Sequence, residues 1–165
     1  VVTPSRVEAA RAALRDVTDP EIRVVTIEEL GILREVTERG DDIEVVITPT
    51  YSGCPAMGQI EDDVCTALAQ RGLSAHVTTR LAPAWTTDWI TPEAREKLRA
   101  FGIAPPAAGA EQAVNFMPMR REAPVPCPRC SSTNTTEISR FGSTACKSLH
   151  RCLDCLEPFD HFKPY

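Results

Sequence analysis

Thr48-Pro49-Thr50-Tyr51-Ser52-Gly53-Cys54-Pro55-Ala56-Met57-Gly58 joins an apolar, alternating stretch to an amphipathic one, and a single cysteine stands at the junction. Gly53 permits a sharp turn and Pro55 suits the first position of a helix, which places Cys54 at or near the N-cap. Free amides and the positive end of the helix dipole favour a thiolate there, so the position predicts a cysteine of depressed pKa.

Upstream, Ile43 to Thr48 sets Ile43, Val45 and Ile47 against Glu44 and Val46, the alternation of a half-buried strand. Gly40-Asp41-Asp42 is the hairpin signal that joins it to a strand beginning at Ile32 to Val36. Ile27 to Leu30 forms a turn before Gly31. Earlier still, Val7, Ala10, Leu14 and Val17 recur at helical steps, Ser5 and Glu8 suit a capping box, and Asp19-Pro20 closes the segment. Asp19-Pro20-Glu21 reads first as turn chemistry.

Downstream of Pro55 a helix to about Arg71 places Met57, Ile60, Val64 and Leu68 on one face and ends at Gly72. Cys65 flanks that stripe and reads as a small buried hydrophobe. A third strand covers Ala75 to Leu81, with His76 a surface or edge residue. Trp85 and Trp89, both tryptophans of the chain, pack over a core edge. Thr91 caps a helix that has Pro92 at its first position and runs to about Phe101. Helix, two strands, helix, strand, helix is an α+β order, with one sheet face covered by helices.

The chain has 165 residues, 42% of them hydrophobic and 25% charged, which suits one ordinary domain with a small appendage. We divide it into a domain over 1–104, a linker over 105–126 rich in Pro, Ala and Gly, and a tail module over 127–165. Within the linker, Phe116 to Met119 could dock on a neighbour. A net charge of −5 gives no general attraction to nucleic acid or to anionic lipid. There is no apolar run long enough to span a membrane and no signal-peptide pattern at Val1 to Ser5, so the expected compartment is the cytoplasm.

Seven cysteines in such a chain point to metal or thiol chemistry rather than to disulfides. Cys127-Pro-Arg-Cys130 and Cys152-Leu-Asp-Cys155 have the spacing of a zinc ribbon. Two such turns complete a closed four-sulfur site with no position open for substrate, hence a structural one. Zinc is the first choice, and iron or an iron–sulfur cluster the alternative for soft sulfur ligands. Cys146 is left over, and His150 and His161 keep other ligation open. The tail holds five basic and four acidic residues, which is no phosphate-tracking stripe.

Several of these residues resemble the MIP18 family, also called domain of unknown function 59, which is associated with iron–sulfur cluster assembly. They are Asp19-Pro20-Glu21, Leu30-Gly31-Ile32, the strand ending at Thr48, Cys54-Pro55, and Trp89 followed by Thr91 to Arg95. With Gly102 to Pro106 and the Cys-x-x-Cys tail through Glu157 to Asp160, the whole chain resembles the D-subunit family of bacterial phenylacetyl-CoA epoxidase systems. The resemblance implies an α-β-β-α-β-α domain followed by a zinc ribbon. It implies a non-catalytic accessory subunit in phenylacetate breakdown, with no catalytic residues of its own. That subunit assists maturation of the oxygenase, which needs a di-iron centre, or of the reductase, which needs an iron–sulfur cluster. Cys54 is then the candidate functional thiol, with Asp19 and Glu21 as its neighbours. One thiol cannot hold a cluster alone. Either a homodimer pairs two copies of Cys54, or acidic residues or a client protein supply the other ligands. The other reading is a purely structural adaptor whose ribbon and Trp85/Trp89 surface bind another subunit. Some relatives end on a further cysteine where this chain has Pro164-Tyr165, so that thiol's role does not transfer.

Overall fold

A computed structural model describes residues 5–107 and 124–164. Most of the 105–126 linker, including Phe116 to Met119, therefore lies outside the described residues. The chain forms two compact units whose boundary falls inside the third helix. One runs to Trp85 and takes in Trp89–Ala94, and the other holds Thr86–Asp88 and the residues from Arg95 onward.

In the first unit, helix α1 (Arg6–Leu14) begins with the expected capping box. Ser5 Oγ accepts from the Glu8 amide and Glu8 Oε2 accepts from the Ser5 amide. Strands β1 (Leu33–Arg39) and β2 (Asp42–Ile47) form the hairpin that turns at Gly40, where φ is +62°. Helix α2 (Met57–Ala69) is the crossover that returns the chain to β3 (Ala75–Thr79), parallel to β2. The sheet order is β1-β2-β3, and α1 and α2 pack on it. Ile43, Val45 and Ile47 are fully buried, as are Ile60, Val64 and Leu68 of α2 and Leu14 of α1. Val46, on the opposite face, is buried too. The fork of Arg80 onto both oxygens of Glu35 (2.5 and 3.1 Å) spans β1 and the end of β3 on that side.

Two expectations fail here. Helix α2 starts at Met57 with Ala56 as its N-cap and no side-chain cap, so Pro55 is not its first residue and Cys54 is not at the cap. The Cys54 amide bonds to Tyr51 O (3.1 Å) and the Met57 amide to Cys54 O (3.5 Å). These successive tight turns hold residues 51–57, and the first helical bond is Ile60 N–H to Ala56 O at 3.0 Å. Cys65 is exposed rather than buried. One residue beyond Val64 turns its side chain about 100° away from the buried stripe.

Both tryptophans pack at the edge of this unit. Trp85 is buried with its indole N–H on Leu30 O at 2.9 Å, and Trp89 carries the Arg34 guanidinium 3.5 Å above its ring. Thr26 and Glu29 form a second capping box, with 2.9 and 3.1 Å bonds, around the turn that ends at Gly31. Its Thr-x-x-Glu signal stands in the sequence. Helix α3 (Pro92–Phe101) follows, with Thr91 Oγ1 accepting from the Ala94 amide.

In the second unit, strands β4 (Ile103–Ala104), β5 (Thr135–Ser139), β6 (Lys147–Cys152) and β7 (Pro158–Phe162) form one sheet in the order β4-β7-β6-β5. Its small core is Ala104, Cys127, Cys152 and Phe159 with Val125 against it. The fold is therefore α+β, an α-β-β-α-β-α body followed by a cysteine-bearing ribbon.

Candidate metal centre and functional thiol

The two knuckles are built alike. In each Cys-x-x-Cys, the first cysteine lies at a strand end or core edge, and the residue after the second takes a left-handed conformation: Ser131 at φ 62° and Leu156 at φ 67°. That turn lets the chain reverse and its amides point inward. The Cys127 amide bonds to Ser132 O (2.9 Å) and the Cys152 amide to Glu157 O (3.0 Å). The four sulfurs of Cys127, Cys130, Cys152 and Cys155 all lie within 4.8 Å of one another. Cys127 and Cys152 are buried, and Cys130 and Cys155 are exposed.

The donor set fits zinc. A tetrahedron with Zn–S bonds of about 2.3 Å has sulfur–sulfur edges of about 3.8 Å. Cys127 Sγ to Cys155 Sγ is 3.7 Å and Cys130 Sγ to Cys152 Sγ is 3.6 Å. The electrostatics call for a cation. The Cys155 amide, helped by that of Asp154, holds the Cys152 thiol down to about 7. At Cys155 the Glu157 amide favours the thiolate, but desolvation and the neighbouring sulfurs Cys152, Cys130 and Cys127 outweigh it and push the thiol up to about 12. Four thiolates this close repel one another unless a divalent ion neutralises them.

A polar clasp, not anticipated from the sequence, locks one knuckle to the other. Asp154 of the second knuckle accepts from Ser132 Oγ (2.5 Å) and Asn134 Nδ2 (2.7 Å), and these bonds hold its carboxyl below the usual range. Arg129 of the first knuckle reaches Glu157 at 3.2 Å. Signals for it existed only as ordinary loop residues.

The three left-over candidates stand outside the four-sulfur group. Cys146 is buried, with Thr144 Oγ1 3.0 Å from its sulfur. His150 and His161 meet edge to face at 5.2 Å, with Ser148 Oγ 3.0 Å from His150 Nε2 and 3.5 Å from His161 Nδ1. Burial, and then the charge of His150, pushes His161 down to about 4.

In the first unit, Cys54 is half-buried in the turn before α2. Asp19 is buried, and its Oδ1 accepts from the amides of Glu21 (2.9 Å) and Ile22 (2.8 Å), which is the turn role read from Asp-Pro-Glu. Among the described residues, the one group of three or more His, Cys, Asp or Glu whose ligand atoms converge is the four-cysteine cluster. Cys54, Asp19 and Glu21 do not make a second such group. No helix among the described residues is long and apolar enough to cross a membrane.

A family model described as iron–sulfur cluster assembly protein matches residues 7–79, and one described as PaaD zinc beta ribbon domain matches residues 111–163. The chain is similar to the putative D subunit of the 1,2-phenylacetyl-CoA epoxidase of Escherichia coli strain K12. The two are 48% identical over 163 residues, 98% of this chain and 95% of that one. Among solved structures it resembles a domain of unknown function 59 from Bacillus anthracis, at 28% identity and a TM-score of 0.52, over 57% of this chain and 92% of that one. It also matches a conserved hypothetical protein from Thermotoga maritima at 28% identity and a TM-score of 0.47, over 59% and 94% of the two chains.

Proposed function

We propose a maturation role from the premise that this chain belongs to the family of the 1,2-phenylacetyl-CoA epoxidase D subunits, in which an iron–sulfur cluster assembly domain precedes a zinc beta ribbon. In this reading the protein is a non-catalytic accessory subunit of a phenylacetyl-CoA epoxidase system. It helps insert iron or an iron–sulfur unit into the oxygenase or the reductase component, in the cytoplasm. The chain acts as a 1–104 domain, a 105–126 linker and a 127–165 ribbon that holds structural zinc on Cys127, Cys130, Cys152 and Cys155.

Cys54 is the thiol that carries the iron or cluster. The observation that supports this is its position: it is half-buried in a turn of the assembly-type domain, outside the group of convergent ligands. A thiol outside the four-cysteine group suits transient carriage, in which a second copy of Cys54 or the client completes the coordination. Asp19 contributes by fixing the turn through the Glu21 and Ile22 amides.

The test is co-expression with the oxygenase and reductase. Cys54→Ser should lower the iron content of one of them while leaving this protein folded and zinc-loaded. Full cofactor loading with the variant would sink the proposal.

A second reading, a structural adaptor, draws on the exposed Ile138, Phe141, Leu153 and Leu156 of the ribbon unit. Under it, capture of the partner subunits survives Cys54→Ser and fails in a Cys127→Ser/Cys130→Ser variant, with cofactor loading unchanged by the first.

A further inference from the structure

We infer that Asp154 is a positioning residue for the four-cysteine centre: its grip on Ser132 and Asn134 fixes the 152–155 turn so that two amides stay aimed at Cys152 Sγ, and the centre's hold on its metal depends on that grip. The inference rests on the reading of these thiols as a zinc site. It deepens that reading by naming a side chain that controls the site without touching the metal.

The two knuckles strap each other reciprocally. In each, the residue two places after the first cysteine reaches the residue five places after the first cysteine of the other. Arg129 meets Glu157 at 3.2 Å, and Asp154 accepts from Ser132 Oγ at 2.5 Å. Ser132 and Glu157 are also the residues whose carbonyls take the Cys127 and Cys152 amides, at 2.9 and 3.0 Å. Each side chain therefore ties its own turn to the base of the opposite one.

The two straps are unequal. Arg129 and Glu157 make one contact between exposed side chains, a kind of pair that contributes little. Asp154 uses both carboxylate oxygens, the second accepting from Asn134 Nδ2 at 2.7 Å. Its partners are themselves held: the Asn134 amide bonds to Ser132 Oγ at 3.0 Å, and Asn134 O accepts from the Leu153 amide at 2.8 Å. Hydrogen bonds to an ionised carboxylate are about twice as strong as neutral ones.

What this strap holds is the turn that serves a sulfur. The Asp154 amide and the Cys155 amide both bond to Cys152 Sγ, the latter at 3.5 Å. These two amides belong to the peptide groups on either side of the Asp154 Cα, so freeing the carboxylate frees both donors together. A thiolate that loses them faces the neighbouring sulfurs with less compensation, and the metal is held less tightly. Contacts of this outer kind typically carry about 10–100-fold in metal affinity.

The experiment uses the full chain. Zinc affinity is read by competition with a chromogenic chelator, and the sulfur-to-cobalt charge-transfer band is recorded on protein saturated with cobalt(II). Asp154→Ala should lower zinc affinity about 10–100-fold. It should also move the saturated cobalt band to longer wavelength, because a thiolate that accepts fewer hydrogen bonds gives up an electron more readily. Ser132→Ala/Asn134→Ala leaves the charge of Asp154 in place and should do the same, and adding Asp154→Ala to it should add little. Asp154→Asn keeps one acceptor and should fall between parent and alanine variant, which preserves the comparison if the alanine variant takes up no metal. Arg129→Ala should stay near the parent in both readouts. Ser143→Ala, which loses a 2.8 Å bond to Asp160 outside the knuckles, controls for general loosening of the ribbon and should leave the band in place. Parent-like affinity in Asp154→Ala, an affinity loss with an unmoved band, or parent-like behaviour of Ser132→Ala/Asn134→Ala would overturn the inference. A parent protein that binds less than one zinc per chain, or gives no charge-transfer band, would overturn the zinc reading itself.

Discussion

Gly31 and Trp89 are in backbone-to-side-chain contact: a Cβ added at Gly31 would lie 2.5 Å from Trp89 Cβ and 2.9 Å from Trp89 O, and Gly31 has φ +72°. The turn closed by Thr26 and Glu29 delivers Gly31 to that position, and Arg34, bonded to Gly31 O at 3.3 Å, stacks on the same indole. Any other residue at 31 meets two costs, the left-handed backbone at about 1–2 kcal/mol and an overpacked contact at about 1–3 kcal/mol. Gly31→Ala should therefore lower the stability of the first unit by about 2–5 kcal/mol in chemical denaturation. Gly40→Ala is the control, since its φ is +62° with nothing within 4 Å, and it should cost only the backbone part. Equal losses in the two variants would remove the close approach from the account.

Local signals carried most of the fold. The Ser5/Glu8 capping box, the Gly40 hairpin, the Thr91-Pro92 helix start and the Cys-x-x-Cys pair all act within a few residues, so they are legible along the chain. What the sequence hid depends on distant partners. Ile103–Ala104 has no period to read, and it is a strand because β7 lies beside it. Lys147, Ser148 and His150 look like surface residues but are buried. Asp160 meets the Lys147 ammonium at 3.6 Å, and the Ser148 hydroxyl meets His150 and His161. At Cys54 the pattern misled in a different way. Pro55 suits a helix start, but the turn bonds of Tyr51 and Cys54 take those backbone groups before the helix begins.

His161 gives the ribbon unit an acid-sensitive stability. Its folded pKa of about 4 lies below the ordinary 6.5, held down by burial and then by His150. The unfolded chain therefore binds more protons between those values, so stability is full above pH 6.5 and falls as pH drops toward 4. The contribution at neutral pH is about 3 kcal/mol. His161→Gln should flatten the pH dependence of unfolding between pH 6.5 and 4, compared with the parent at equal zinc loading. An unchanged slope would show that His161 is not the titrating group.

Cys65 and Cys146 differ in exposure, and Cys65 departs from its reading as a small buried hydrophobe. Cys65 is exposed on α2 and Cys146 is buried. With zinc bound, a small thiol reagent should modify Cys65 rapidly, Cys54 more slowly in keeping with its half-buried position, and Cys146 only on unfolding. Peptide mapping after a timed pulse reads the order. Early labelling of Cys146 would contradict the packing of the ribbon core.

Zinc removal should unfold one unit and spare the other. The strands β5, β6 and β7 enclose a core in which Cys127 and Cys152 are themselves members, so the metal and the packing fail together. Cys127→Ser should lose its zinc, and amide hydrogen exchange should show lost protection in β5 to β7 with protection kept in β1 to β3. Cys54→Ser should keep one zinc per chain and the full exchange pattern. Metal uptake by the zinc-free protein must also release protons, because the Cys155 thiol, at about 12, is protonated at neutral pH and has to ionise to bind. Zinc affinity should consequently fall steeply as pH is lowered, through about 7 where Cys152 itself takes up its proton. A pH-independent affinity between pH 8 and 6 would mean that the four thiols are not the ligands.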